Sequence, residues 1–253
     1  MTVRELYAIL NEKIPPSLSC AWDNDGLMCC PDGEKQVRRA LVTLDVTEAA
    51  VAYAKEAGFD LILSHHPLLF RGLKSVNGET YLGKKTVDLL LSGISVMCFH
   101  TRLDAVSGGV NDTLCRVLGI RDAEPFGEEG IGRIGTLDGA LGGEDFARLV
   151  KERLGAPAVN LGDAGLPVCR VAVLGGSGGD DLGAARAAGA DTYLSGTLGY
   201  HDLIDAPEAG MNLLEAGHFF TEQPVTETLA AWLFEIDPSV ETEIFYSNTV
   251  KTV

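Results

Sequence analysis

The side chains best suited to chemistry in this sequence are five histidines, each of which lies at or soon after the end of an apolar, strand-like run. They are His65, His66, His100, His201 and His218. Any one of them alone fits an ordinary polar residue at the end of a strand. Their shared placement favours a common site, because ligands bind beside the carboxyl ends of parallel strands.

The most specific pattern is the pair of histidines in Ser64-His65-His66-Pro67. Pro67 biases His66 toward an extended backbone, and successive side chains of an extended chain point in opposite directions. The two imidazoles can therefore address two different metal ions rather than chelate one. The plainer interpretation is two polar residues in a turn.

Two further segments add a carboxylate four residues after a histidine. Asp104 follows His100, and Glu222 follows His218. Residues at i and i+4 share one face of a helix, so His218 and Glu222 could reach one ion. A capping or turn role for Asp104 and an ordinary surface pair for His218 and Glu222 are the alternatives.

Together these donors predict a site for two divalent metal ions per subunit. The predicted ligands are His65, His66, Asp104, His218 and Glu222. A carboxylate can bridge two cations, and the longer side chain makes Glu222 the predicted bridge. The mixed nitrogen and oxygen donors suit Zn, Mn, Fe, Co or Ni rather than Ca.

A second candidate feature is the glycine-rich loop at residues 175–179, between a predicted strand and a predicted helix. Its backbone N–H groups could cradle an anion. The loop matches neither the phosphate-binding nor the dinucleotide-binding glycine pattern, so a tight turn is the alternative. Residues Tyr200 and His201, after the next strand, could line a pocket or transfer protons.

Alternation of strands and helices predicts an α/β protein with parallel sheets. We expect two α/β lobes, residues 1–125 and 126–253, with a boundary in the glycine-rich stretch 119–143 and a last strand that can pack back on the first lobe. The predicted helices are 2–13, 48–57, 84–92, 111–118, 143–154, 184–188 and 223–234. The predicted strands are 38–46, 59–64, 94–99, 170–174, 192–195, 211–215 and 243–247.

Composition narrows the class of function. The net charge of −16 and pI near 4.6 make nucleic-acid binding a poor expectation, because that function needs a basic face. The six cysteines form no CxxC pair, which favours reduced thiols. The interrupted N-terminus does not fit a signal peptide, and no apolar run is long enough to span a bilayer, so we expect a cytoplasmic protein without membrane contact.

Seven segments resemble the Nif-three-like family of dinuclear-metal proteins, often labelled GTP cyclohydrolase I type 2. They are WDNDGL at 22–27, LDVT at 44–47, SHHPLLF at 64–70, HTRLDAVSGGVND at 100–112, LGGSGG at 174–179, SGTLGYHD at 195–202 and EAGHFFTE at 215–222. The resemblance implies the same five metal ligands. It also implies two lobes facing a metal cleft, in the short form without an inserted domain, and a toroidal homohexamer.

The resemblance further implies that His100 and His201 line the same cavity, as candidate acid/base or substrate-contacting groups. It suggests a metal-dependent hydrolase acting on a small molecule such as a nucleotide, a phosphoester or a cyclic amide. The alternative is a metal-binding, regulatory or scaffold hexamer without turnover. The loop before Tyr200 departs from the family pattern, because Thr197 and Gly199 stand where charged residues are usual.

Overall fold

The computed structural model describes residues 1–253 as a mixed α/β protein with ten helices and eleven strands. In chain order these are α1 (Val3–Lys13), β1 (Gly26–Cys29), β2 (Arg39–Thr43), α2 (Glu48–Glu56), β3 (Leu61–Ser64), α3 (Tyr81–Ser92), β4 (Ser95–Cys98), α4 (Thr101–Ala105), α5 (Val110–Leu118), β5 (Arg121–Phe126), β6 (Gly132–Leu141), α6 (Gly143–Leu154), β7 (Asn160–Gly162), β8 (Val168–Ser177), α7 (Leu182–Ala187), β9 (Thr192–Thr197), α8 (Tyr200–Glu208), β10 (Asn212–Glu215), α9 (His218–Glu222), α10 (Val225–Ile236) and β11 (Glu241–Phe245). Short 3-10 turns lie at Pro16–Leu18 and Gly179–Asp181. None of the helices combines the length and the apolar character that a bilayer crossing requires.

These elements form two compact units, each with its own sheet. The first unit comprises Met1–Leu103 and Thr226–Lys251, and the second comprises Asp104–Val225 and Thr252–Val253. The chain passes from the first unit to the second after Leu103, whereas the sequence predicted a boundary near residue 125. The reason is that strand β5 pairs within the second sheet, whereas the chain returns after residue 225 to add β11 to the first.

The first unit holds a five-stranded sheet in the order β1-β4-β3-β2-β11. Its strands are parallel except for β1, which pairs antiparallel with β4. Strands β3 and β4 are buried along their whole length, as expected for the centre of a parallel sheet. Residues Leu41, Ile62 and Val96 join Phe59 and Leu89 in one core cluster.

The second unit holds a six-stranded sheet in the order β5-β6-β8-β9-β10-β7, in which β8, β9 and β10 are parallel. Successive residues of β8 face opposite sides, so Val171 and Val173 join one core cluster while Ala172 joins another. Both faces of the sheet are therefore covered by apolar packing.

Local sequence signals account for the starts of α1 and α2. Thr2 and Glu5 form a reciprocal capping box at α1, and Thr47 caps α2 through the N–H of Ala50. Helix α6 spans residues 143–154, as predicted. The predicted parallel strand–helix alternation is confirmed in both sheets.

The glycine-rich stretch 119–143, expected to contain only a boundary, instead forms the antiparallel pair β5 and β6. Two of its glycines lie at points of close packing. A Cβ on Gly132 would lie 2.2 Å from the Phe126 ring, and one on Gly135 would lie 2.4 Å from the carbonyl oxygen of Arg121. Glycine at these two positions therefore permits the strands to approach, rather than marking a linker.

Candidate metal centre

Three histidines of the first unit converge at the carboxyl ends of β3 and β4. His65 and His66 follow β3 directly, and His100 follows β4 after Phe99. The ring centroid of His65 lies 4.9 Å from that of His66 and 5.4 Å from that of His100. The ring centroids of His66 and His100 lie 5.8 Å apart. One donor nitrogen from each ring lies within 4.8 Å of the other two, so this group could hold a metal ion.

The three rings are held in one orientation, because each Nδ1 faces an oxygen acceptor. His65 Nδ1 donates to the carbonyl oxygen of Phe99 over 3.0 Å. His66 Nδ1 lies 2.8 Å from Asp45 Oδ1. His100 Nδ1 lies the same distance from Asp23 Oδ1. A donating Nδ1 places the lone pair of each ring on Nε2, the arrangement that oriented metal-binding histidines use.

The Asp23 carboxylate fixes the loop that holds His100. Its Oδ2 accepts hydrogen bonds from the backbone N–H of Thr101 at 3.0 Å and from the Thr101 hydroxyl at 2.6 Å. Burial raises the pKa of the Asp23 carboxyl, but hydrogen bonds from His100 and Thr101 outweigh burial and leave that pKa well below its usual range. Asp23 is therefore a carboxylate at neutral pH and a permanent acceptor for His100.

A residue from the end of the chain supports His66 through Asp45. The Ser247 hydroxyl accepts from the Asp45 backbone N–H at 3.1 Å and donates to Asp45 Oδ2 at 3.2 Å. Ser247 is buried. Ser247 therefore supports the orientation of the His66 imidazole through Asp45, which lies 202 residues before Ser247 in the sequence.

We expect Ser247→Ala to weaken metal binding by several-fold to about tenfold, since outer partners of metal-binding histidines typically contribute 10- to 100-fold and Ser247 acts one step further out. Competition with a coloured chelator measures the affinity. Ser239→Ala is the matched control, because Ser239 also donates to an aspartate, Asp237, but on the exposed surface. Equal affinities of the two variants would contradict a supporting role for Ser247.

The second unit brings together its own donors on α4 and α9. Helix α9 begins at His218 and ends at Glu222, and His218 Nε2 lies 3.1 Å from Glu222 Oε2. The i, i+4 pairing expected for these residues is therefore confirmed. A carboxylate oxygen of Asp104 lies within 4.8 Å of one from Glu222. Both carboxylates are buried, with 9% of Asp104 and 4% of Glu222 exposed.

Glycines let the chain close around α9. Gly176 has a φ of +73°, and a Cβ there would lie 2.1 Å from Glu222 Oε1 and 3.3 Å from His218 Cε1. A Cβ on Gly196 would lie 2.5 Å from the Thr221 hydroxyl oxygen. The glycine loop thus forms a cradle that only a residue without a side chain can make.

The backbone N–H groups at the start of that loop are used within the protein. Gly175 N donates to the buried Asn111 side chain at 2.8 Å, and Gly176 N donates to the Thr221 hydroxyl at 3.1 Å. These two groups therefore fasten the loop to α5 and α9. Of the two interpretations of the sequence, the tight structural turn fits better than the anion cradle.

The donors of both units fit divalent transition metals. The first unit offers three imidazole nitrogens, the second offers an imidazole nitrogen and two carboxylates, and no thiolate lies among these donors. Two buried carboxylates as close as Asp104 and Glu222 repel each other when both are ionised, and a cation that binds both removes that repulsion. The side chains therefore form groups that could bind metal ions.

The other predicted site residue, His201, lies exposed on α8, where its ring packs edge-on against Tyr200. The loop before it is closed by Gly199 N, which donates to Asp202 at 2.8 Å, and by Leu198 N, which donates to Glu215 at 3.2 Å.

Three residues with a positioning role escaped the sequence reasoning: Asp23, Asp45 and Ser247. The first two stand inside the segments WDNDGL and LDVT. The available signal for each was an acidic residue inside a short segment that matches the family. Ser247 carried no local signal, because its role depends on the pairing of β11 with β2.

Curated proteins of known sequence resemble this chain over most of its length. A curated protein of Clostridium perfringens, named GTP cyclohydrolase 1 type 2 homolog, is 38% identical over 89% of this chain and 88% of its own length. A protein of Methanocaldococcus jannaschii with the same name is 30% identical over 88% of this chain and 90% of its own.

A solved structure agrees with the fold. The crystal structure of a hypothetical protein from Staphylococcus aureus matches with a TM-score of 0.91 and 27% identity, and the match covers 100% of this chain and 99% of that one. The chain thus has no additional inserted domain relative to that protein. The Duf34/NIF3 (NGG1p interacting factor 3) family description matches residues 1–252. The chain therefore belongs to the Duf34/NIF3 family.

Proposed function

We propose that this protein is a hydrolase that uses two divalent metal ions per subunit. The ligands would be His65, His66, Asp104, His218 and Glu222, with Glu222 as the bridge. The metals would be Zn, Mn, Fe, Co or Ni, which accept this mixture of nitrogen and oxygen donors.

The observation that carries the proposal is the orientation of three imidazoles by three separate acceptors. His65, His66 and His100 each donate a hydrogen bond from Nδ1 to an oxygen. One nitrogen of each ring that could bind metal lies within 4.8 Å of the other two. Ordinary polar residues at strand ends need no such common orientation. Metal-binding histidines do, because the partner on one nitrogen sets the tautomer and direction of the other.

A pair of bound cations would supply Lewis acidity, which acidifies water and polarises a carbonyl or phosphoryl oxygen of the substrate. The protein would supply proton transfer and orientation. His100 is the first candidate acid/base group, because the Asp23 carboxylate accepts a hydrogen bond from Nδ1 and holds the ring in one orientation. His201 is the second candidate.

For the substrate, we propose a small molecule such as a nucleotide, phosphoester or cyclic amide. The names of the curated relatives point toward hydrolysis of the guanine ring of GTP. We further propose that the protein works in the cytoplasm as a toroidal homohexamer, as its family resemblance implies.

Metal analysis and an activity panel test this proposal together. The purified protein is analysed for metal per chain and assayed for formate and phosphate release from GTP and from a phosphoester panel, with and without chelator. Two metals per chain and chelator-sensitive turnover are expected. Bound metal without any turnover would instead support the metal-binding, regulatory or scaffold function.

His100→Gln separates proton transfer from metal binding. We expect it to keep the bound metal and to lower turnover by about 100-fold or more, the usual contribution of an acid/base group. Metal content and rate are measured on the same preparation. Loss of metal in parallel with rate would make His100 a ligand instead, which its position in the histidine group also allows.

A further inference from the structure

Two exposed aromatic rings stand beside His100. Trp22 is 60% exposed and Phe70 is 44% exposed. The ring centroid of each lies close to that of His100, at 6.3 Å for Trp22 and 6.2 Å for Phe70. The two rings therefore leave a large apolar surface open next to the histidine group.

The three rings form a triangle of edge-to-face contacts. Trp22 and Phe70 are 6.2 Å apart with an interplanar angle of 65°, and their angles to His100 are 81° and 87°. This is the favoured geometry for aromatic pairs, and it fixes ring orientation. The exposed part of the Trp22 ring remains available for a further planar group.

Neither ring owes its exposure to an unanchored loop. Asp23, next to Trp22, makes hydrogen bonds to His100 and Thr101, and Asp25 accepts from the His100 backbone N–H at 3.2 Å and from Arg102 Nε at 2.9 Å. Buried Leu68 anchors the segment that carries Phe70.

The two segments are also joined to each other. The side chain of Asn24 donates a hydrogen bond to the carbonyl oxygen of Leu69, one residue before Phe70. Each of the three polar residues after Trp22 therefore makes a hydrogen bond within the protein, while the indole stays 60% exposed. A preorganised, exposed indole costs hydrophobic free energy, which binding of a ligand recovers.

We infer that Trp22 and Phe70 form a stacking site for a planar heteroaromatic ring of the substrate, such as a purine base, beside His100. Aromatic side chains can stack on any planar π-face, so they orient such a ring without a charged group, as in nucleic-acid binding proteins. The inference rests on the proposed function for the reaction that follows, but binding of the ring requires neither metal nor turnover.

Intrinsic fluorescence tests the site directly, because the chain has two tryptophans and Trp232→Phe leaves Trp22 as the only one. The probe is guanosine, titrated into this variant after removal of metal with EDTA. We expect saturable quenching by guanosine and none by ribose 5-phosphate, which lacks the ring. Absence of quenching by guanosine would overturn the inference.

Variants in the otherwise unchanged protein give the second measurement. Trp22→Ala and Phe70→Ala are each expected to weaken guanosine binding, measured by calorimetry, by about tenfold or more for Trp22 and less for Phe70. Phe234→Ala is the matched control, because Phe234 is an exposed aromatic residue of the same unit on α10. Its affinity should equal that of the unchanged protein.

Unchanged guanosine affinity in Trp22→Ala would also overturn the inference. An altered oligomeric state of that variant by light scattering would then assign the aromatic pair to contact with a second copy. Guanosine binding by a protein that carries no metal as purified and turns over no substrate of the panel would refute the proposed hydrolase while supporting the stacking site.

Discussion

Asp104→Ala is expected to lose most of the metal that the unchanged protein binds. A methyl group cannot replace a ligand carboxylate. Of the two neighbouring buried carboxylates, only Glu222 would remain to attract an ion. Metal per chain after dialysis, measured by plasma emission spectroscopy, is the readout.

The control for this variant removes the same charge from elsewhere in the same unit. Asp145 is an exposed residue of α6 that pairs with Arg148, so Asp145→Ala changes the overall charge equally without touching the candidate centre. We expect it to keep its metal. Retention of the original stoichiometry by Asp104→Ala would refute the assignment of Asp104 as a ligand.

Gly176→Ala is expected to have a second large effect, although the residue supplies no ligand atom. The new Cβ would lie 2.1 Å from Glu222 Oε1, so the carboxylate must move. Displacement of a predicted bridging ligand should weaken metal binding by about 100-fold or more. Loss of a group that only orients a ligand typically weakens it by about 10- to 100-fold. Chelator competition measures the affinity, and urea unfolding of the metal-free protein measures stability.

Gly210→Ala separates this clash from backbone strain. Gly210 has a φ of +77°, nearly that of Gly176, but nothing lies within 4 Å of its Cβ position. Both variants should lose roughly 1–3 kcal/mol of stability from the left-handed backbone. Only Gly176→Ala should lose metal affinity, and equal affinities in the two variants would show that Glu222 does not depend on the cradle.

The sequence contained enough information to place the candidate donors at strand ends and on one helical turn, because strand ends and i, i+4 spacing are local properties. His65 and His66 follow a run whose apolar character predicts a buried strand, and β3 ends at the residue before them. His218 and Glu222 needed only one helical turn, which α9 provides. Local rules therefore predicted the groups within each unit.

The partners that orient these donors could not be predicted in the same way. Asp45 lies 21 residues from His66, and Asp23 lies 77 residues from His100, so each contact depends on how strands are ordered in the sheet. The strand pair β5 and β6 was missed for a related reason. Five of the six residues of β5 are exposed, so alternation of apolar residues gave no signal there.

The late return of the chain to its first sheet sets an order of events during synthesis. Strand β11 and Ser247 leave the ribosome some 200 residues after β2 and Asp45, with which they pair. Residues 104–225, by contrast, are continuous and can collapse while translation is still under way. The first unit is therefore expected to mature last, and, if His66 binds metal as proposed, its site should be complete only after β11 has been synthesised and has paired with β2.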